Sequence, residues 1–128
     1  MQDISKAMSE FAISTREEQP AWIVELNGYL DAHTAPQLEQ TLQDMLDQGR
    51  FNIIVDFERL HYISSAGLGV FMAFIEDVRQ NKGDIKLACM NPKVYNVFDL
   101  LGFPMLYEIY DDRTEAHRKF TEHPENGK

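Results

Sequence analysis

The chain has 128 residues, of which 44% are hydrophobic, so it fits a single domain with a substantial core and is too apolar for a disordered chain. Its 12 basic and 21 acidic side chains give a formal net charge of −9, which disfavours nucleic acid and anionic lipid and leaves other proteins as the expected partners. The single cysteine, Cys89, excludes an intramolecular disulfide and fits a reducing compartment.

The first half of the chain predicts a hairpin and a helix. Residues 11–15 and 22–26 alternate between apolar and polar side chains around a break at 17–20, which predicts two antiparallel strands, the second closed by Gly28. Thr34 is the predicted N-cap of a helix that has Pro36 in its first turn and stops at Gly49. The buried stripe of this helix is predicted to be Leu38, Leu42, Met45 and Leu46.

The second half alternates strands with helices. The apolar run FNIIVDF predicts a strand covered on both faces, followed by a loop from Glu58 to Ile63 and a helix that runs to about Asn81. IKLACM and MLYEIY predict two further strands. NPKVYNVFDLLG predicts a helix capped by Asn91, with Val94, Val97, Phe98 and Leu101 on one face, and DRTEAHRKF a last helix before the fraying tail TEHPENGK.

The order of these elements predicts the fold class. A ββαβαβαβα chain forms an α/β domain with a mostly parallel sheet, one antiparallel edge strand and four main helices. We expect one domain over residues 10–121, with flexible termini at 1–9 and 122–128. The N-terminus lacks a signal-peptide pattern, and no apolar run approaches the roughly 20 residues of a membrane span, so we expect a cytoplasmic protein. Cys89 lies in a predicted strand and is expected to be a buried, unreactive thiol.

The stretch HYISSAGLGVFMAF carries the strongest functional signal. Ser64 and Ser65 lie where a strand gives way to a helix, at the sheet edge where α/β proteins meet ligands and partners. Either serine can cap the helix. Gly67 and Gly69 each cost roughly 1 kcal/mol relative to alanine inside a helix. That cost indicates either tight packing of the helix on the sheet or close approach by a partner.

The apolar side chains of this helix exceed one buried face. We expect a core stripe of Leu68, Phe71, Met72, Ile75 and Val78. Val70, Ala73 and Phe74 lie partly off that stripe. They form either an exposed patch that binds a protein or a surface covered by a second helix.

Four segments in order resemble the STAS domain family and, within it, the anti-sigma factor antagonists. They are VELNGYLDAHTAPQLEQTL, IIVDFERLHYISSAGLGVF, GDIKLACMNPKVYNVFDLLGF and LYEIYDDRTEAHRKF, and together they span about residues 11–120. Family members often have Asp before the serine and Ser or Thr after it, where this chain has Ser64 and Ala66.

The resemblance implies a partner switch rather than an enzyme. It implies that Ser65 is phosphorylated, with Ser64 as a second candidate, and that the unphosphorylated form binds an anti-sigma factor with serine kinase activity. A serine phosphatase would reverse the modification, and the chain would be a monomer or weak dimer. Asp31 matches an acidic position near the phosphorylation site. The partner-binding residues implied are Asp31, Thr34, Ser64, Ser65, Ala66, Gly67, Leu68 and Gly69.

Other chemistries find little support in the sequence. There is no dinucleotide fingerprint, P-loop or nucleophile elbow, and His33, His61, His117 and His123 lack ligand spacing, so we expect no cofactor and no metal. Two alternatives stay open: a STAS interaction module in a non-transcriptional signalling or transport complex, and a small α/β enzyme that uses Ser65 or Asp56. The favoured role of Asp56 is a hydrogen bond to the loop or to the serine helix start.

Overall fold

Alternating apolar strands and amphipathic helices fold as the order of elements predicts. The computed structural model describes the backbone of residues 10–126 and the side chains of residues 10–122. The elements are β1 (Phe11–Glu18), β2 (Ala21–Leu30), α1 (Ala35–Asp47), β3 (Asn52–Ile63), α2 (Ser65–Gln80), β4 (Asp84–Ala88), α3 (Pro92–Leu100), a 3₁₀ turn (Phe103–Met105), β5 (Ile109–Tyr110) and α4 (Arg113–Asn126).

The five strands form one sheet in sequential order. β1 pairs with β2 antiparallel, and every other neighbouring pair is parallel. This confirms the predicted antiparallel edge strand and the parallel remainder. The β2–β3 ladder is the longest parallel one, running from Trp22 opposite Ile53 to Leu30 opposite Ile63, with two register shifts along the way.

Two predicted boundaries at the end of this ladder are wrong. β2 continues past Gly28 to Leu30, and the predicted loop 58–63 is strand up to Ile63. Gly28 has φ +103, and a Cβ there would collide with the backbone of Glu10. The polar stretch after Phe57 stays extended because it pairs with β2 and buries Leu60 and Ile63, which periodicity alone does not reveal.

The sheet is covered on both faces, as the apolar run of β3 predicts. Ile53, Val55 and Phe57 point into the larger core, which is closed by α1, α2 and α3. Ile54 points to the opposite face and joins a smaller cluster with α4. That cluster consists of Ala21, Ile23, Ile54, Ala88, Ala116 and Phe120. Three helices therefore lie on one face of the sheet and one on the other.

The buried face of α2 is rotated from the predicted one. Met72 is 46% exposed, whereas Val70 and Phe74 are buried at 8% and 6%. α1 packs against α2. It covers the side of α2 for which the sequence predicted either an exposed patch or a second helix. Of the three residues in that expected patch, only Ala73 is exposed.

The C-terminal third also departs from the prediction. Leu101 is 57% exposed rather than part of the buried face of α3. The predicted strand MLYEIY shrinks to Ile109–Tyr110, because the chain first forms the 3₁₀ turn. α4 continues to Asn126, and the predicted flexible segment 1–9 and residues 127–128 lie outside the described residues.

An ion-pair cluster fastens α4 to the sheet. The Arg113 guanidinium donates to carboxylate oxygens of Glu25 and Asp56, each at 2.9 Å. Glu25 also accepts from Arg16 at 3.0 Å, and this bond lowers the pKa of Glu25. Since the Asp56 side chain is only 5% exposed, Arg113 supplies the counter-charge for a carboxylate that is buried inside the protein.

We expect Arg113→Met to lower the free energy of unfolding by about 1–3 kcal/mol, because it leaves the Asp56 carboxylate buried without its cation. The loss is limited because Arg113 is itself partly exposed. Urea unfolding measures the change. Arg118→Met is the matched control, since it removes only the exposed pairs with Glu115 and Glu122 and is expected to cost about 0.5 kcal/mol or less. Equal losses in the two variants would contradict this assignment.

Candidate functional site

The candidate site lies where β2 and β3 end side by side. Leu30 and Ile63 are the paired last residues of the two strands, so the loop that begins at Asp31 and the helix that begins after Ser64 start from neighbouring points. The Ser64 backbone N–H donates to the Leu30 carbonyl at 2.9 Å. This bond ties the helix start to the residue that precedes the Asp31 loop.

The two serines have different surroundings. Ser64 is the N-cap of α2, with extended φ −104 and ψ 172, and its Oγ accepts from the Gly67 N–H at 3.4 Å. Ser65 is the first helical residue and is exposed. Within the described part of the chain, no hydrogen bond engages the Ser65 hydroxyl. Ser64 therefore holds the helix start, while Ser65 offers a free hydroxyl to solvent.

The two glycines also differ in their surroundings. Gly67 is buried, and a Cβ there would lie 2.7 Å from Cγ of Leu30 and 3.2 Å from Cγ1 of Ile63. Gly67 thus lets α2 approach the strand ends closely. Gly69 is exposed, and a Cβ there would meet no atom within 4 Å. Nothing in the described fold requires glycine at position 69.

Hydrogen bonds within the Asp31 loop hold its conformation. Asp31 Oδ1 accepts from the backbone N–H of His33 at 2.9 Å and of Thr34 at 3.1 Å. The Thr34 hydroxyl donates to the Tyr29 carbonyl at 2.8 Å and accepts from the Asp31 N–H at 2.9 Å. Thr34 precedes α1 as predicted, but its side chain makes no cap bond to the helix because it is used inside this loop.

The residues that the resemblance implies for partner binding differ in how far they are buried. Thr34, Gly67 and Leu68 are buried, and their part in partner binding stays a prediction. Thr34 orders the loop, and the other two seat α2 on the core. Direct contact stays a prediction for the members that reach the surface, which are Asp31, Ser64, Ser65, Ala66 and Gly69.

A shallow aromatic groove adjoins this edge and was not anticipated from the sequence. Its walls are Tyr29, His61, Tyr62, Asn91, Pro92 and Lys93. The Tyr29 ring lies 6.1 Å from the His61 ring and 6.4 Å from the Tyr62 ring, and both tyrosines are exposed. The sequence signal for this groove is the aromatic residues near the ends of two strands, where Tyr29 is paired with Tyr62. It was missed because residues 58–63 were predicted to form a loop.

Asp56 bonds to the segment that was predicted to be a loop and is strand, and it makes no side-chain hydrogen bond to the serine helix. Its Oδ1 accepts from the Glu58 N–H at 2.9 Å, and its other oxygen binds Arg113. Asp56, Glu58 and Cys89 bring ligand atoms within 4.8 Å of one another, a grouping that the spacing of the histidines does not predict. Both Asp56 oxygens are already occupied, and burial raises the pKa of the half-buried Cys89 thiol to about 11, so the group suits a protonated thiol better than a metal.

The fold and this edge define a small α/β domain with a free serine hydroxyl at a helix start. A family model described as STAS domain matches residues 12–116. The chain belongs to the STAS domain family. Within residues 10–126, no helix has the length and apolarity to cross a membrane.

Similar proteins have related names. BtrV of Bordetella bronchiseptica, a candidate anti-sigma factor antagonist by its name, is 35% identical over 95 residues, covering 74% of this chain and 82% of BtrV. The anti-sigma-B factor antagonist of Staphylococcus aureus is 28% identical over 97 residues, covering 76% of this chain and 90% of that protein. The solved structure of the Bacillus anti-sigma factor antagonist SpoIIAA in its unphosphorylated form is 23% identical with a TM-score of 0.68, covering 87% of this chain and 98% of that one.

The contrast between the two glycines gives a stability prediction. Gly67→Ala is expected to lower the free energy of unfolding by about 1–3 kcal/mol, because the new methyl group overlaps Leu30. Gly69→Ala is expected to raise it by up to about 1 kcal/mol, since it gains helix propensity in open space. Urea unfolding of both variants checks the signs, and a change of the same sign in both would refute the division.

Proposed function

We propose that this protein is an anti-sigma factor antagonist that switches partners when Ser65 is phosphorylated. The observation that carries the proposal is the free, exposed Ser65 hydroxyl at the start of α2 in a domain of this family. The names of BtrV and of the staphylococcal relative support the antagonist role. SpoIIAA, which has the same fold, is known in an unphosphorylated and a phosphorylated form.

The helix start suits a reversible anion. The first N–H groups of an α-helix have no intrahelical acceptor, and the helix dipole adds positive potential there. A phosphoserine carries about −1.5 to −2 charges at neutral pH and would be accommodated by these groups. Because Ser64 rather than Ser65 supplies the cap bond, modifying Ser65 leaves the capped helix intact. Phosphorylation therefore acts on what binds here and not on the fold.

The exposed surface around Ser65 fits a docked partner. Ala66 and Gly69 lie on the outer side of α2 and carry almost no side chain, so another protein could approach the backbone of the first two turns. A partner packed on this surface would bury the phosphate, and the half-buried Asp31 carboxylate on the neighbouring loop would add like-charge repulsion. A penalty of about 3 kcal/mol weakens binding more than a hundredfold.

The partner that completes the switch is an anti-sigma factor with serine kinase activity. It binds the unphosphorylated chain, modifies Ser65 and then releases it, and a serine phosphatase restores the binding form. The chain itself contributes the acceptor hydroxyl and the docking surface, and we assign it no catalytic residue. The aromatic groove of Tyr29 and Tyr62 extends the docking surface beyond α2.

Phosphorylation by a purified anti-sigma factor kinase tests the acceptor. Intact-mass analysis should show one added phosphate on the parent chain, a similar extent on Ser64→Ala and none on Ser65→Ala. Ser64→Ala loses its cap and is expected to be about 0.5–1 kcal/mol less stable, so its thermal unfolding is measured alongside. Full modification of Ser65→Ala would overturn the assignment. A sigma-dependent transcription assay with the same proteins separates an antagonist from a STAS module that serves another assembly.

Binding of the same anti-sigma factor tests the docking surface. Gly69→Gln adds a long side chain where no described atom is nearby, so we expect a tenfold or greater loss of affinity without loss of thermal stability. Ser65→Asp should weaken binding with little change in melting temperature. Lys82→Gln, an exposed position just past the far end of α2, is the matched control and should bind normally. Unchanged affinity of Gly69→Gln would place the partner elsewhere.

A further inference from the structure

A second exposed surface lies at the far end of the helical layer. We define the α3 apolar patch as Leu100 and Leu101 at the end of α3, Met105 and Leu106 in and after the 3₁₀ turn, and Met72 of α2. Leu100 is 82% exposed and Met105 90% exposed, and the other three are between 46% and 57% exposed. Four large apolar side chains within seven residues exceed the scattered exposure expected of a surface.

The core does not require these side chains. The same segment is anchored by Phe98, Phe103 and Tyr107, whose rings pack in series at centroid distances of 5.2 and 5.5 Å. The Tyr107 hydroxyl also donates to the Phe71 carbonyl of α2 at 2.5 Å. With the segment held by three buried rings, the leucines and methionine between them point outward without a partner inside the described chain.

Met72 extends the patch onto α2. Met72, Glu76 and Arg79 lie at i, i+4 and i+7, so they form one ridge along the helix. Arg79 donates to the Leu106 carbonyl at 2.6 Å, which places this ridge beside the turn. The exposed thioether of Met72 is therefore on the ridge that borders Leu106, and methionine is well suited to adaptable protein contacts.

The charges around the patch favour one kind of occupant. Asp99 precedes the patch on α3, and Glu76 lies beside Met72 on the α2 ridge, both of them exposed. The one cation on the ridge, Arg79, already pairs with Asp84 at 2.9 Å. An acidic rim on a chain of net charge −9 disfavours a second copy and an anionic lipid surface, and it complements a basic protein segment.

We propose that the α3 apolar patch binds an amphipathic helix of a partner protein, with an apolar face against the leucines and methionines and a Lys/Arg rim against Asp99 and Glu76. The centre of this interaction is separate from the switch at Ser65, because residues 100–106 lie at the end of α3, whereas α2 and α3 both begin at the edge of the sheet that carries Ser65. Met72, seven residues along α2 from Ser65, is the member of the patch nearest the switch. The partner would therefore bind phosphorylated and unphosphorylated chains alike.

The test uses three synthetic 18-residue helical peptides: a leucine face with a lysine rim, the same face with a glutamate rim, and a scrambled lysine peptide. Backbone amide NMR of the full chain reports where each binds. We expect the lysine-rim peptide alone to bind, with shifts concentrated at Met72 and residues 99–106. Ser65→Asp should bind it equally well, so the result does not depend on the proposed switch.

Variants identify the surface. Leu100→Ser combined with Met105→Ser alters two of the most exposed apolar side chains, so the fold should persist, and affinity for the lysine-rim peptide should fall at least tenfold. Tyr62→Ser, which removes an exposed apolar ring at the other end of the helical layer, is the control and should bind normally. The proposal is overturned if the lysine peptide fails to bind, if it binds without disturbing residues 99–106, or if the double variant binds unchanged. Sedimentation that shows the free chain as a dimer dissociated by the double variant would overturn it in favour of a second copy.

Discussion

The site depends on the parallel pairing of β2 with β3 up to their last residues. Because Leu30 and Ile63 are paired, the segments that follow them begin as neighbours, and the bond from the Ser64 N–H to the Leu30 carbonyl fixes their separation. Gly67 then lets the first turn of α2 rest directly on both strand ends. The Ser65 hydroxyl is held in position by this arrangement, although it takes no part in it.

The serine pair and the glycine pair each combine one structural residue with one surface residue. Ser64 caps the helix and Gly67 packs against the strand ends, whereas Ser65 and Gly69 are exposed and make no contact that the fold requires. This division explains how a modification can be added and removed at a helix start without unfolding it. Glycine at position 69 lowers the stability of the helix, and packing gives no reason for it. A requirement for partner binding would explain why glycine is present there.

The sequence was sufficient for the fold class and for placing Ser64 and Ser65 at the start of a helix, but not for the faces of the helices. Alternation and glycine or proline signals found the order of strands and helices, because these are local properties. The extension of β3 to Ile63, the burial of Phe74 and the exposure of Met72 depend on how β2 and α1 pack against them, which no local pattern records. The Asp56–Arg113 pair joins residues 57 positions apart, so local sequence patterns do not predict it either.

The helices cover the two faces of the sheet unequally, three on one face and one on the other, and this determines which surfaces are open to partners. α4 lies alone on one face, fastened by Arg113 to Asp56 and Glu25 and by the small cluster around Phe120, so this face is occupied by the chain itself. The opposite helical layer meets solvent with its outer side, and its two ends differ in chemistry. One end presents backbone, hydroxyl and aromatic groups beside a serine, and the other presents leucines and methionines within an acidic rim. We therefore expect the two surfaces to bind different partners, since a phosphate on Ser65 lies at the other end of the layer from residues 100–106.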